Sequence, residues 1–135
     1  MLVLIIHPDA KQDLLRLKES DPYAAARIAV VLQELQGNQD LMDRLTQDKF
    51  GIEGRHDFNV RGLASQFKAG HNLWRLKVWN LERRAHRYRV IYAFVPSKGY
   101  HYVLGIMPRE IDYERDDDFI RRVERAYDDV REGRW

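Results

Sequence analysis

The apolar positions of this chain fall into three kinds of run. Leu2 to Ile6 is a short continuous apolar stretch closed by Pro8 and Asp9. It reads as a buried strand, too short to span a membrane and without the basic flank of a signal peptide. Ala10, Leu14 and Leu17 then recur at i, i+4 and i+7, which predicts a helix with Asp9 as its N-cap. Asp21-Pro22 restarts the pattern, because Asp is a preferred cap and Pro suits the first helical turn. Ile28, Val31, Leu32 and Leu35 form the stripe of this second helix, and Gly37-Asn38 stops it. A short helical piece follows from Leu41 to Leu45.

Between Lys49 and about Asn72 no period is sustained, and glycine stands at 51, 54, 62 and 70. This span reads as an irregular insertion at about 49–72 or as a loosely formed extra strand. Period 2 then takes over. In the segment from Leu73 to Trp79, Trp74, Leu76 and Val78 alternate with Arg75 and Lys77; in the segment from Arg87 to Phe94, Tyr88, Val90 and Tyr92 alternate with Arg87 and Arg89. Pro96-Ser97-Lys98-Gly99 is a turn, and Tyr100 to Met107 is a third strand. A last helix starts at Asp116-Asp117-Asp118 and carries Phe119, Val123, Ala126, Tyr127 and Val130 on one face. The order predicts an α+β fold in two layers, a small antiparallel sheet packed on two N-terminal helices, with a C-terminal helix.

A length of 135 residues suits a single domain, 1–135, large enough to fold without disulfide or metal. The chain has no cysteine, which fits a cytoplasmic protein and removes thiol chemistry from consideration. The net charge of +2 conceals an asymmetry. From Arg55 to Arg89 there are nine basic residues against two acidic ones, Asp57 and Glu82, a local balance of +7 that leaves −5 for the rest. Such a basic block suggests a polyanionic partner.

Alternation places the block. Side chains two apart in a strand leave the same face of a sheet, so Arg75 and Lys77 oppose Trp74, Leu76 and Val78, while Arg87 and Arg89 oppose Tyr88, Val90 and Tyr92. An antiparallel register of 77 against 89 and 79 against 87 gathers all four cations on one face, where they repel one another unless an anion is bound. Trp79, Tyr100, Tyr102 and Tyr113 lie close by in sequence, and aromatic groups beside arginine suit single-stranded RNA. Arg109, after the third strand, joins the same set. His101 on the third strand is expected to face these cations, and His86 in the loop at 80 to 86 is a fainter candidate. The five histidines show no HxH or HExxH spacing, and the three aspartates suit a helix start better than a calcium loop. Arg121, Arg122 and Arg125 lie off the stripe of the last helix.

The succession of strand, two helices and a meander carrying Leu73-Trp74-Arg75-Leu76-Lys77-Val78, Tyr88-Arg89-Val90-Ile91-Tyr92 and Ile106-Met107-Pro108-Arg109-Glu110 resembles the RelE/ParE superfamily of bacterial type II toxins. It is nearest to the RelE side, ribosome-dependent mRNA endoribonucleases (mRNA interferases). The resemblance implies a toxin of a toxin-antitoxin system that acts in translation. The 2′-hydroxyl of ribosome-bound mRNA would attack the adjacent phosphate and leave a 2′,3′-cyclic phosphate. Its catalytic set would be Arg75, Lys77, Arg89, Arg109 and Tyr113. Arg89 would stabilise the phosphorane, Arg109 would stand near the leaving group, and Lys77 or Tyr113 would serve as base. Arg83, Arg84, Arg87 and His101 would bind RNA. No metal or cofactor is implied; the partners are mRNA on the ribosome and a cognate antitoxin, with no membrane, and the pattern specifies no oligomeric state. Two alternatives stand beside this reading: a ParE-like DNA gyrase inhibitor on the same fold, and a non-catalytic RNA-binding module.

Overall fold

The computed structural model describes residues 1–108 and 117–135. Five strands, β1 (Val3–Ile6), β2 (Phe58–Gly62), β3 (Leu73–Val78), β4 (Tyr88–Val95) and β5 (Tyr100–Pro108), form one sheet in the order β1-β5-β4-β3-β2. The meander β2 to β5 is antiparallel, but β1 runs parallel to β5, so the sheet is mixed where an antiparallel one was expected. The helices are α1 (Pro8–Ser20), α2 (Pro22–Gln36), α3 (Gln39–Asp43), α4 (Ala64–Lys68), α5 (Trp79–Arg83) and α6 (Asp117–Arg131). Among the described residues no helix is long and apolar enough to cross a membrane.

Local chemistry accounts for most boundaries. Asp21 caps α2 as its sequence suggests, accepting from the Ala24 amide at 3.2 Å. The cap of α1 is His7 rather than Asp9: Pro8 takes the first helical position, and His7 Nδ1 accepts from the Asp9 amide at 3.1 Å. The span from 49 to 72 contains both β2 and α4. It is fastened by Lys49, whose amide donates to the Val60 carbonyl, and by Val60, whose amide donates to the Phe50 carbonyl, both at 2.8 Å. Gly51 makes that approach possible. Its φ is +107°, and a Cβ there would lie 1.9 Å from the Phe58 carbonyl oxygen.

The sheet is covered on both faces, which corrects the two-layer expectation. On one face Ile28, Val31, Leu32 and Leu35 of α2 pack with Val60, Leu76, Val90 and Tyr92. On the other, Val123, Ala126, Tyr127 and Val130 of α6 pack with Leu73, Ile91, Ala93, Tyr102 and Leu104. The expected stripe on the last helix is therefore real, and its counterpart is the far side of the meander. Because α6 sits over β4 and β5, the second face stays open, among the described residues, over β2 and the adjoining end of β3.

One ion pair ties the two helical layers together. β1 pairs with β5 only from Tyr100 to Val103, which leaves the edge of β5 bare beyond that point. There Asp13 of α1 accepts from the Ile106 amide at 2.9 Å and holds the Arg122 guanidinium of α6 through two contacts of 2.9 and 2.5 Å. The Asp13 side chain is 9% exposed and that of Arg122 26%, so water screens the pair poorly. A Cβ on Gly105 would lie 2.9 Å from both Arg122 Nη2 and Phe119 Cζ; the missing side chain is the room this clamp occupies. Replacing Asp13 by Ala strands a half-buried cation and an edge amide, and urea unfolding should register a loss of about 2 kcal/mol. Adding Arg122→Ala to that variant should cost much less than Arg122→Ala alone, so strictly additive losses would contradict the coupling.

Candidate nucleic-acid interface

β2 and β3 build the open face. Their register sets Arg61 directly opposite Arg75 and Asn59 opposite Lys77. β3 and β4 pair Arg75 with Ile91 and Leu76 with Val90; one further step of that register puts Lys77 beside Arg89, as alternation predicts. Arg61, Arg75, Lys77 and Arg89 thus leave the sheet on the same side, away from α1 and α2.

Arg75 is aimed by a relay. The Asn59 side-chain amide donates to the carbonyls of Phe50 at 3.1 Å and Gly51 at 3.0 Å. This orients its Oδ1 toward Arg75, whose Nη1 donates to it at 3.1 Å. The half-buried guanidinium is held in place before any ligand arrives, the arrangement that electrostatic stabilisation requires. Lys77 Nζ stands 4.5 Å from the centroid of the Trp79 ring. The ring face attracts the charged ammonium.

Arg89 departs from the expectation of an accessible cation. It is buried, its Nη1 lies 2.6 Å from Glu82 Oε1, and the same nitrogen donates to the Tyr88 carbonyl at 3.0 Å. The carboxylate comes from the segment read as the loop at 80 to 86, whose first part is α5. This helix ends with the Ala85 amide on the Glu82 carbonyl at 3.1 Å and the His86 amide on the Leu81 carbonyl at 2.8 Å, a Schellman stop. Its left-handed position is filled by Ala85 at φ 61°, where glycine would be the signal. Arg83, Arg84 and Arg87 are exposed along this connection. Arg83 meets Glu53 at 3.6 Å, and Arg84 lies 4.6 Å from the centroid of the Tyr23 ring.

Other candidates lie elsewhere. Tyr102 is buried in the α6 cluster with Tyr100 packed against it, so neither joins the cations. Arg122 is committed to Asp13, while Arg121 and Arg125 stay exposed on α6. Arg109 and Tyr113 lie outside the described residues. An apolar groove of about 530 Å³ between α1 and α2 is lined by Leu14, Leu15, Ala25 and Ala29 with Lys11 and Lys18 among its neighbours; it is remote from the open face. Among the described residues no group of three or more His, Asp or Glu side chains is placed to hold a metal ion.

Sequence reasoning missed Asn59, Arg61 and Glu82 as members of the site. Asn59 and Arg61 sit in a stretch without periodicity and become neighbours of Arg75 only through backbone pairing. Glu82 did carry a signal, as one of two acids within the basic block.

His101 is the clear correction. It pairs with Phe94 on β4 and Leu4 on β1, on the face of the N-terminal helices and not with the cations. Odd numbering carries across a hairpin only through its register, and the turn at 96 to 99 sets odd positions at the start of β5 against even ones of β4. The ring is 1% exposed and stacks on Phe94 with centroids 4.5 Å apart. Among the described residues neither ring nitrogen has a hydrogen-bond partner. Burial lowers its pKa from 6.5 to about 4, against a weaker opposing pull from Asp43.

In the unfolded chain His101 takes a proton at about pH 6.5, and in the fold only near pH 4. Its contribution is therefore intact above pH 6.5, fades as the pH falls through that window, and levels off below 4. Relative to a His101→Phe variant, the wild type should lose on the order of 3 kcal/mol across the window. Parallel stability curves for the two proteins between pH 7 and 4 would contradict this account. Comparison of the chain with protein-family models, with characterised proteins and with solved structures finds no match in any of the three.

Proposed function

We propose that the open face of β2, β3 and β4 binds the phosphates of single-stranded RNA, and that the chain is a RelE-like mRNA interferase acting on ribosome-bound message in the cytoplasm under the control of an antitoxin. The observation that carries the reading is Arg61 directly opposite Arg75, with Lys77 next on the same face. Like charges opposite each other in an antiparallel pair repel; Asp48 stands 3.6 Å from Arg61, and a phosphate between the two guanidinium groups would add attraction to both. Trp79 beside Lys77 adds a ring on which a base can stack.

In this mechanism the 2′-oxygen attacks phosphorus, the bond to the 5′-oxygen breaks, and the products are a 2′,3′-cyclic phosphate and a 5′-hydroxyl. Negative charge grows on the non-bridging oxygens at the transition state. Arg75, already aimed by Asn59, and Lys77 neutralise it without reorganising. Arg89, held by Glu82, supports α5 from beneath and is a positioning residue. That pairing also favours the non-catalytic RNA-binding module as a second reading, since it removes one cation from direct chemistry.

Purified protein should cleave mRNA on programmed ribosomes, leaving cyclic phosphate ends. Lys77→Ala should lower the single-turnover rate by roughly 10²-fold while leaving the melting temperature unchanged. Arg61→Ala should reduce the salt dependence of RNA binding by about 0.7 in log–log slope. Salt-dependent binding without cleavage would select the non-catalytic module; inhibited supercoiling by gyrase with intact mRNA would overturn both RNA readings.

A further inference from the structure

The helical hairpin carries a surface that neither the core nor the cation face uses. The apolar groove of about 530 Å³ between α1 and α2 has one wall on each helix. On α1 the wall is Lys11, Leu14, Leu15 and Lys18, spaced at i, i+3, i+4 and i+7, a stripe beside the core positions Ala10 and Leu17. On α2 it is Ala25, Ala26 and Ala29, while Ile28, Val31 and Leu32 of the same helix turn into the core. Ala26 and Ala29 are exposed, and Leu15 is 55% exposed. A leucine left in water among apolar neighbours, in a concave surface, marks a site that something covers.

The shape of the groove suits a helix. Alanines on one wall let the backbone of an occupant come close, and Leu14 and Leu15 on the other supply a ridge for it to pack against. Lys11 and Lys18 stand two turns apart, about 10 Å along the axis. Among the described residues neither lysine forms an ion pair, and no carboxylate lines the groove. Asp13, the acid nearest in sequence to both, is spent on Arg122 and the Ile106 amide.

That charge pattern separates the candidate occupants. A second copy laid face to face would present the same residues from both sides, and its lysines would find no acid in the groove to meet. A lipid surface is flat and takes a protruding apolar face, whereas this one is recessed between two helices. An acidic helix satisfies both the shape and the charge.

We propose that the groove between α1 and α2 docks an amphipathic helix of a protein partner, whose apolar stripe fills the groove and whose acidic side chains, seven positions apart, meet Lys11 and Lys18. Burial of Leu15 and of the exposed alanines supplies affinity, and the two lysines select the partner and set its register along α1. The inference stands apart from the nuclease reading, because the groove belongs to the helices on one face of the sheet and the phosphate-binding cations leave the other.

The probe is a fluorescein-labelled amphipathic peptide of about three heptads, with leucine on one face and glutamate on both flanks; its control carries lysine in place of glutamate. Titrated with the full chain at low salt, the glutamate peptide should give a saturable rise in anisotropy that added salt weakens, and the lysine peptide should bind at least about tenfold more weakly. The double variant Lys11→Glu/Lys18→Glu should reverse that preference, and Ala26→Tyr, which fills the groove from an exposed position, should weaken the glutamate peptide by roughly tenfold. Both variants should melt at the wild-type temperature. Equal binding of the two peptides, or no saturable binding by a folded wild type, would overturn the proposal. So would binding to vesicles of anionic phospholipid that needs the same lysines while the peptide is ignored, or dimerisation of the chain that Ala26→Tyr abolishes; these would assign the groove to a membrane surface or to a second copy.

Discussion

The pair formed by Asp13 and Arg122 decides how much of the sheet is available. It spans the bare edge of β5 and couples a helix on one face to a helix on the other. In doing so it fixes α6 over β4 and β5, where Val123, Ala126, Tyr127 and Val130 bury the apolar half of the second face. Among the described residues the charged half, over β2 and β3, has no such cover. A sheet face cannot bury Arg61, Arg75 and Lys77 against an apolar stripe without stranding their charges, so the division between core and site follows the boundary between residue types.

On the open half, placement is as informative as composition. β2 joins the edge of β3 because Gly51 lets the chain at 49 to 51 lie close beside it, and this puts Arg61 opposite Arg75. Asn59 translates the same backbone geometry into an aim for the Arg75 guanidinium. At the far end of β3, the Schellman stop of α5 returns the chain with Glu82 on Arg89 and His86 on Asp21. The connection between two strands thereby holds one cation in reserve as a support and ties itself to the cap of α2.

Much of this was legible in the pattern. The stripes of α1, α2 and α6 and the alternation of β3 and β4 are long and regular, and alternation put Arg75, Lys77 and Arg89 on one side; the expected pairing of 79 with 87 does not form, because Trp79 begins α5 and Arg87 precedes β4. What escaped reading depends on pairing between segments. β2 has only five residues and is identified by its partner rather than by its own period. The stop of α5 uses alanine where glycine is the usual sign. The parity of β5 cannot be read from its numbering, because the turn before it and a register shift at Ile91 and Tyr92 decide which side each residue faces. His101 was misplaced for that reason.

The central claim is that RNA phosphates meet the sheet between β2 and β4 and not the helical surfaces. Amide chemical shifts of the uniformly labelled protein, recorded while a short single-stranded RNA is titrated in at low salt, test it directly. The account predicts perturbations at Asn59 to Arg61, Arg75 to Lys77 and along Arg83 to Arg89, all reversed by added salt. Shifts confined to the groove between α1 and α2 or to the exposed side of α6, with the strands silent, would contradict it.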